Sequence, residues 1–277
     1  MKGDQVELEI NPALARKILT GFIRSETSRV GFDRAVVGLS GGVDSSLTCT
    51  LAAEALGAEN VMAVRMPYAT STPESLEHAA LVIEKTGVQE VTVPITEAVD
   101  ALLADIPESQ QVRRGNIMAR MRMIVLYDQS AEFGGLVMGT GNKTEILLGY
   151  TTQFGDAASA INPLGDLYKT QILLLAAEMG VPDVILEMPP SADLWVGQTD
   201  EGELGFTYEQ VDKLLYLLVD RRYAPDDCVK AGFDPAFVDT VVELVRLNHF
   251  KRVMPPIAKL SSRTIGYDFL YPRDWGT

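Results

Sequence analysis

One short apolar run, Ala35-Val36-Val37-Gly38-Leu39, passes directly into Ser40-Gly41-Gly42-Val43-Asp44-Ser45-Ser46. The run reads as a buried strand, and the residues from about Asp44 to Gly57 read as a helix. A strand that enters a helix through paired glycines restricts the chain to few architectures. In a doubly wound sheet such a turn sits at the carboxyl edge, where ligands bind. Paired glycines let backbone N–H groups approach an anion, and the helix N-terminus adds unsatisfied donors. Ser40, Ser45 and Ser46 add hydroxyl groups. A Walker loop would need Gly-Lys-Ser/Thr, and that lysine is missing; the spaced Gly-x-Gly-x-x-Gly fingerprint is also absent. Asp44 would repel a bare phosphate, a conflict that a bound Mg2+ would resolve. The same turn could serve only as a tight connection in which Asp or Ser caps the helix.

Strand and helix signals continue to alternate. Val61-Met62-Ala63-Val64-Arg65-Met66 and Val91-Thr92-Val93 read as further strands, and Gly135 to Thr140 as a fourth. Between them lie a helix opened by Thr72-Pro73-Glu74 and closed by Gly87, one starting near Thr96, and a long one from about Gln111 to Phe133. Asn11 and Pro12 open an earlier helix, with Leu14, Ile18, Leu19, Phe22 and Ile23 on one face. The alternation implies right-handed crossovers and a parallel sheet covered on both faces, an α/β doubly wound fold. Beyond about Gly165 the pattern is mainly helical, with a capping box at Thr207 and Gln210 and a helix from Asp234-Pro235 to about Asn248. A single domain over 1–277 is expected, with an α/β nucleotide-binding part at 12–170 and a helical part at 171–277.

Composition narrows the partners. The 277 residues carry a net charge of −14, which argues against a broad nucleic-acid footprint or an anionic membrane surface. Two cysteines, Cys49 and Cys228, cannot form a disulfide framework or a four-thiolate zinc site. Met1 to Glu7 lack an apolar signal core, and no run approaches the roughly 18 apolar residues of a membrane span. The expected compartment is the cytoplasm. His78 fits an exposed helix face and a structural role, and Cys49 is expected to be buried and inert.

Further constellations follow. Arg113, Asn116 and Arg120 share one face of the long helix, with Met118, Met121 and Ile124 toward the core. Arg is a natural donor to carboxylate or phosphate, although the stripe could equally be a solvated face. Gly139-Thr140-Gly141-Asn142-Lys143-Thr144-Glu145 follows the fourth strand, so Thr140 could reach a nucleotide and Glu145 could join Asp44 around a metal. A plain turn capped by Asn142 or Thr144 remains the alternative. Lys169 lies at a helix start, where a lysine is electrostatically misplaced unless it faces an anion. Pro189 to Trp195 and Gly197 to Glu201 have no helical period and read as a loop.

Ser-Gly-Gly-x-Asp-Ser resembles the pyrophosphate loop of the ATP pyrophosphatases. Together with Asn116-x-x-Ala-Arg120, Gly139-Thr-x-Asn-Lys-x-Glu145, Tyr150-x-Thr-x-x-Gly-Asp156, Ile161-Asn-Pro163 and Gln198-Thr-Asp-Glu201, it resembles the NAD synthetases from about Pro12 to Trp275. The resemblance implies that Gly38, Leu39, Ser40, Gly41, Gly42, Val43, Asp44 and Ser45 bind ATP phosphates. It implies ATP contacts for Thr140, Lys169 and Ser191, and Mg2+ ligation by Asp44 and Glu145. Arg120 and Lys251 would hold deamido-NAD. Gln153 stands where many members have Lys, Ala160 where they have Asp, and Phe250 where they have His.

The implied reaction amidates deamido-NAD with ammonia through an adenylated intermediate, giving NAD, AMP and pyrophosphate, with Asp44 and Lys169 as the catalytic groups. No glutaminase segment fits before Gly38, so free or delivered ammonia is the expected nitrogen source. A homodimer is expected by the same resemblance. The rivals are another ATP pyrophosphatase with a different acceptor, and a nucleotide-binding sensor without turnover.

Overall fold

A computed structural model describes residues 6–191, 194–195 and 197–270. Met1 to Gln5, Ala192, Asp193, Val196 and Tyr271 to Thr277 lie outside the described residues. With them fall most of the opening segment read for a leader and Trp275, where the resemblance ends.

Helix α1, Pro12–Arg29, starts as the Asn-Pro pair suggests: the Asn11 side chain accepts from Leu14 N at 3.0 Å. Then come β1 (Ala35–Gly38), α2 (Val43–Leu56), β2 (Val61–Arg65), α3 (Pro73–Thr86) and β3 (Gln89–Thr92). Helices α4 (Thr96–Leu103) and α5 (Gln111–Phe133) lead to β4 (Leu136–Met138). All pairings are parallel, in the order β3-β2-β1-β4. Ala35 stands opposite both Val61 and Leu136, and Met62 opposite Gln89. The chain runs outward from β1 to β3 and then returns to place β4 on the other side of β1. That reversal creates a crevice at the carboxyl ends of β1 and β4, where doubly wound sheets bind their ligands.

Both faces of the sheet are covered, which is why β1 and β2 read as unbroken apolar runs. On one face Ala35, Val37 and Ala63 pack with Ile23, Leu47 and Leu51. The same core takes in Ile172 and Leu175 of α7 (Lys169–Glu178) and Ile185 of α8 (Asp183–Leu186). On the other face α4 and α5 meet through Val99, Leu103 and Met118. A third core joins α10 (Tyr208–Leu215) to α12 (Pro235–Leu247) through Val211, Leu214, Val238 and Val241. This core includes Leu148, the last residue of α6 (Lys143–Leu148), and Tyr168. Helix α9 spans Asp200–Leu204 and α11 Pro225–Lys230. The capping box holds, with Gln210 N donating to Thr207 Oγ1 at 3.3 Å.

Two sequence expectations fail on burial. His78 is buried, not exposed, because α3 turns that face toward the core. Ile124 is 54% exposed, since α5 contacts the sheet through a narrower arc than its apolar stripe. On α1, Ile23 is buried but Leu14, Ile18 and Phe22 face outward. The third strand also begins two residues earlier than its apolar core suggested.

Candidate active site

The turn after β1 is stitched by its own hydroxyls. Ser40 Oγ lies 3.1 Å from Ser45 Oγ and accepts from Gly42 N at 3.3 Å. Ser45 and Ser46 both donate to Gly42 O, at 3.0 and 2.8 Å. Gly41 has φ +90°, and a Cβ there would lie 2.2 Å from Ser75 O of α3. Only glycine fits, so α3 presses the loop into shape. Gly42 is the N-cap residue of α2, with no side chain satisfying the first amides. Uncapped amides at a helix start are the donors that an anion site uses.

Asp44, in the first turn of α2, receives two groups from distant segments. Asn142 Nδ2 donates to Asp44 Oδ1 at 3.0 Å, and Lys169 Nζ pairs with Asp44 Oδ2. Asn142 also caps α6: its Oδ1 accepts from Glu145 N at 2.9 Å, while Glu145 Oε2 accepts from Asn142 N at 3.2 Å. One asparagine thereby links the two acids expected to share a metal. Burial, and next the charge of Asp44, pushes the Glu145 carboxyl up to about 8 against the pull of Lys169. Burial opposes charge on Lys169, but Asp44 and then Glu145 hold its ammonium up to about 12. The sequence singled out both the apparent excess charge of Asp44 and the awkward position of Lys169, and here they face each other.

Two carboxylates tied to one asparagine, with the charge of Asp44 raising the proton affinity of Glu145, suit a small hard cation. Mg2+ is commonly held by one or two carboxylates plus phosphate oxygens, and no cluster of three metal-ligating side chains occurs among the described residues. The donor set therefore fits Mg2+ with a nucleotide and does not form an all-protein cage.

The second group of expected residues gathers around α5. Arg113, Asn116 and Arg120 line a cleft of about 720 Å³. Arg120 Nη2 donates to Gln153 O at 3.2 Å, and Thr152 Oγ1 donates to Asn116 Oδ1 at 2.8 Å. Gln153 Nε2 donates to Phe250 O at 3.4 Å. Lys251 donates to Gly149 O at 2.6 Å and to Thr151 O at 3.0 Å. Two of the three departures, Gln153 and Phe250, thus touch each other beside Arg120, whereas Ala160 bonds through its N–H to Val137 O at 2.9 Å. Thr140 is half-buried just past β4, and Ser191 is exposed between α8 and α9.

Sequence reasoning missed several members. Asp200, the first residue of α9, is buried and accepts from Tyr208 Oη at 3.0 Å. The Tyr208 ring lies 5.3 Å from Lys169 Nζ. Asp212, fully buried, joins α6, α7 and α10. Its one signal was an acid on the apolar face of an amphipathic helix, between Val211 and Leu214.

The NAD synthase family profile matches residues 15–255, a span that contains every expected site residue from Gly38 to Lys251. The chain belongs to the NAD synthase family. The NH3-dependent NAD(+) synthetase of Trichlorobacter lovleyi is 58% identical over 97% of this chain and 98% of its own length. A Campylobacter jejuni structure described as NH3-dependent NAD synthetase in complex with the nitrate ion superposes with TM-score 0.77. It is 32% identical and covers 90% of this chain and all of its own. A Francisella tularensis structure described as NMN synthetase gives TM-score 0.80 at 31% identity, covering 91% of this chain and all of its own. These matches agree with the parallel sheet and with the NAD synthetase resemblance carried by the loop motifs.

Proposed function

We infer that this chain is an NH3-dependent NAD+ synthetase, a ligase that uses ATP. The observation that carries the reading is the meeting of the Ser-Gly-Gly-Val-Asp loop with Asn142, Glu145 and Lys169 at the carboxyl edge of the sheet.

We assign the ATP phosphates to the stretch from Gly38 to Ser45, which offers backbone amides and hydroxyls as donors. Thr140 and Ser191 complete the ATP contacts. Asp44 and Glu145 would hold Mg2+, which when bound neutralises phosphate charge and polarises the phosphoryl group. Lys169 turns its ammonium toward charge that grows on the α phosphate and the departing pyrophosphate. Arg120 and Lys251 orient deamido-NAD from the α5 side. A carboxylate oxygen of deamido-NAD bonds to the α phosphorus as the bond to pyrophosphate breaks. Ammonia then bonds to the activated carbonyl carbon, AMP leaves, and a proton passes to solvent. Holding two anionic substrates in register can itself lower the barrier by ~7–11 kcal/mol.

Gln153 and Phe250 put neutral side chains beside Arg120 where many family members carry Lys and His, which is the feature favouring a rival acceptor. A test compares AMP and pyrophosphate release for deamido-NAD, its mononucleotide analogue and no acceptor, each with ammonium. Release that depends on deamido-NAD is expected. Release only with another acceptor, or ATP binding without release, would overturn the assignment.

Cytoplasmic location and a homodimer complete the proposal, together with one domain over 1–277 divided near residue 170. Among the described residues no helix is long and apolar enough to cross a membrane. Support for the dimer comes from outward apolar side chains at Leu14, Ile18 and Phe22, one turn apart along α1. Light scattering should give twice the 30.2 kDa chain mass.

A further inference from the structure

We propose that Asp212, acting through Thr144, is a positioning residue that sets Lys169 and Glu145 in register for ATP. The proposal rests on the NAD synthetase reading but draws on different residues.

Asp212 has no exposed surface, and neither of its hydrogen-bonded partners is a cation. A buried carboxylate in that state is costly unless its oxygens are well satisfied. Here Oδ1 accepts from Thr144 Oγ1 at 2.6 Å, and Oδ2 accepts from Thr170 N at 2.9 Å. Thr144 Oγ1 in turn accepts from Lys169 N at 3.1 Å. One carboxylate on α10 therefore fastens the first turn of α6, which carries Glu145, to the first turn of α7, which opens with Lys169. The start of α7 also presents a backbone donor to it through Thr170 N.

The direction of these bonds matters. An ionised carboxylate is acceptor-only, so the single Thr144 hydroxyl hydrogen must point to Asp212. Its lone pairs are then left for Lys169 N, which fixes the backbone from which the lysine side chain reaches Asp44. An amide at 212 could turn its NH2 toward Thr144 and release that hydrogen, so the chain of bonds would lose its polarity. A brace that only stabilised the fold would not require this order next to two charged site residues. Misplacing a reacting group by about 1 Å can cost on the order of a hundredfold in rate.

The test compares wild type with Asp212→Asn, Thr144→Val and Thr144→Ser. ATP affinity is measured by calorimetry without acceptor, kcat and KM are measured for ATP and acceptor separately, and melting temperature is followed throughout. Asp212→Asn and Thr144→Val should each lower kcat/KM for ATP and ATP affinity by about tenfold or more. Acceptor KM should stay within about twofold, and Thr144→Ser should restore ATP affinity to near wild type. If Asp212→Asn does not fold, the Thr144 pair decides alone. Melting temperature falling with ATP parameters unchanged, both KM values rising together, or Thr144→Val matching Thr144→Ser would overturn the proposal. Wild type that releases no pyrophosphate would fail the functional reading, while the calorimetric comparison would still judge Asp212.

Discussion

Lys169 and Asp44, 125 residues apart, form an ion pair in which the two side chains are only 4% and 16% exposed. A pair so enclosed is costly to break, because the surviving charge is left without its partner. Lys169→Met should cut turnover at least about a hundredfold, the scale of losing a donor aimed at developing negative charge. Asp44→Asn should also lose turnover heavily while circular dichroism stays native. Pyrophosphate release measures both, and unchanged activity in Asp44→Asn would remove that residue from the site.

Gly41→Ala should damage the loop specifically. Its φ of +90° and the approach of Ser75 O leave no room for Cβ. A strained left-handed residue alone costs about 1–3 kcal/mol, and the backbone contact adds to it. The expected outcome is a lower melting temperature together with weaker ATP binding by calorimetry.

Arg120→Ala should separate the two substrates. The guanidinium stands in the α5 cleft beside Gln153, away from the Asp44–Lys169 pair. Losing a charge-assisted bond to an anionic acceptor is worth about 1.5–3 kcal/mol, roughly a ten- to hundredfold rise in acceptor KM. KM for ATP should move little. Steady-state kinetics with each substrate varied in turn checks the split.

Cys49 should ignore alkylating reagents at pH 8. Burial pushes its thiol up to about 12, so almost no thiolate is present in the native state. Unfolding returns the thiol toward the ordinary value near 8.5. The folded state thus holds the proton more tightly, and this group's contribution to stability is full below about pH 8.5 and is lost as pH rises toward 12. Iodoacetamide labelling followed by mass measurement, before and after denaturation, tests the first point. Denaturant midpoints at pH 8 and pH 10 test the second.

The strand-turn-helix at Ala35 to Leu56 was legible because its causes are local: an apolar run, paired glycines and a helix start within a few residues. Helix α5 was legible for the same reason, and its observed bounds, Gln111–Phe133, match the reading. His78 and Ile124 were misread, because periodicity shows which residues share a helix face but not how much of that face a neighbour covers. Asp200, quoted within Gln198-Thr-Asp-Glu201 but read as loop, instead opens α9, and neither it nor Asp212 carries a local mark of the tyrosine or threonine that will meet it.

The sequence by itself determined the alternating α/β plan, the glycine turn after β1 and the family, since each is written in short-range spacing. Only the tertiary structure decided that Asp44 would face Lys169 and be tied to Glu145 through Asn142, and that Asp212 would join the starts of two helices. Strand order and helix docking bring those groups together. They follow from burial summed over the whole chain, a quantity that no single stretch of residues contains.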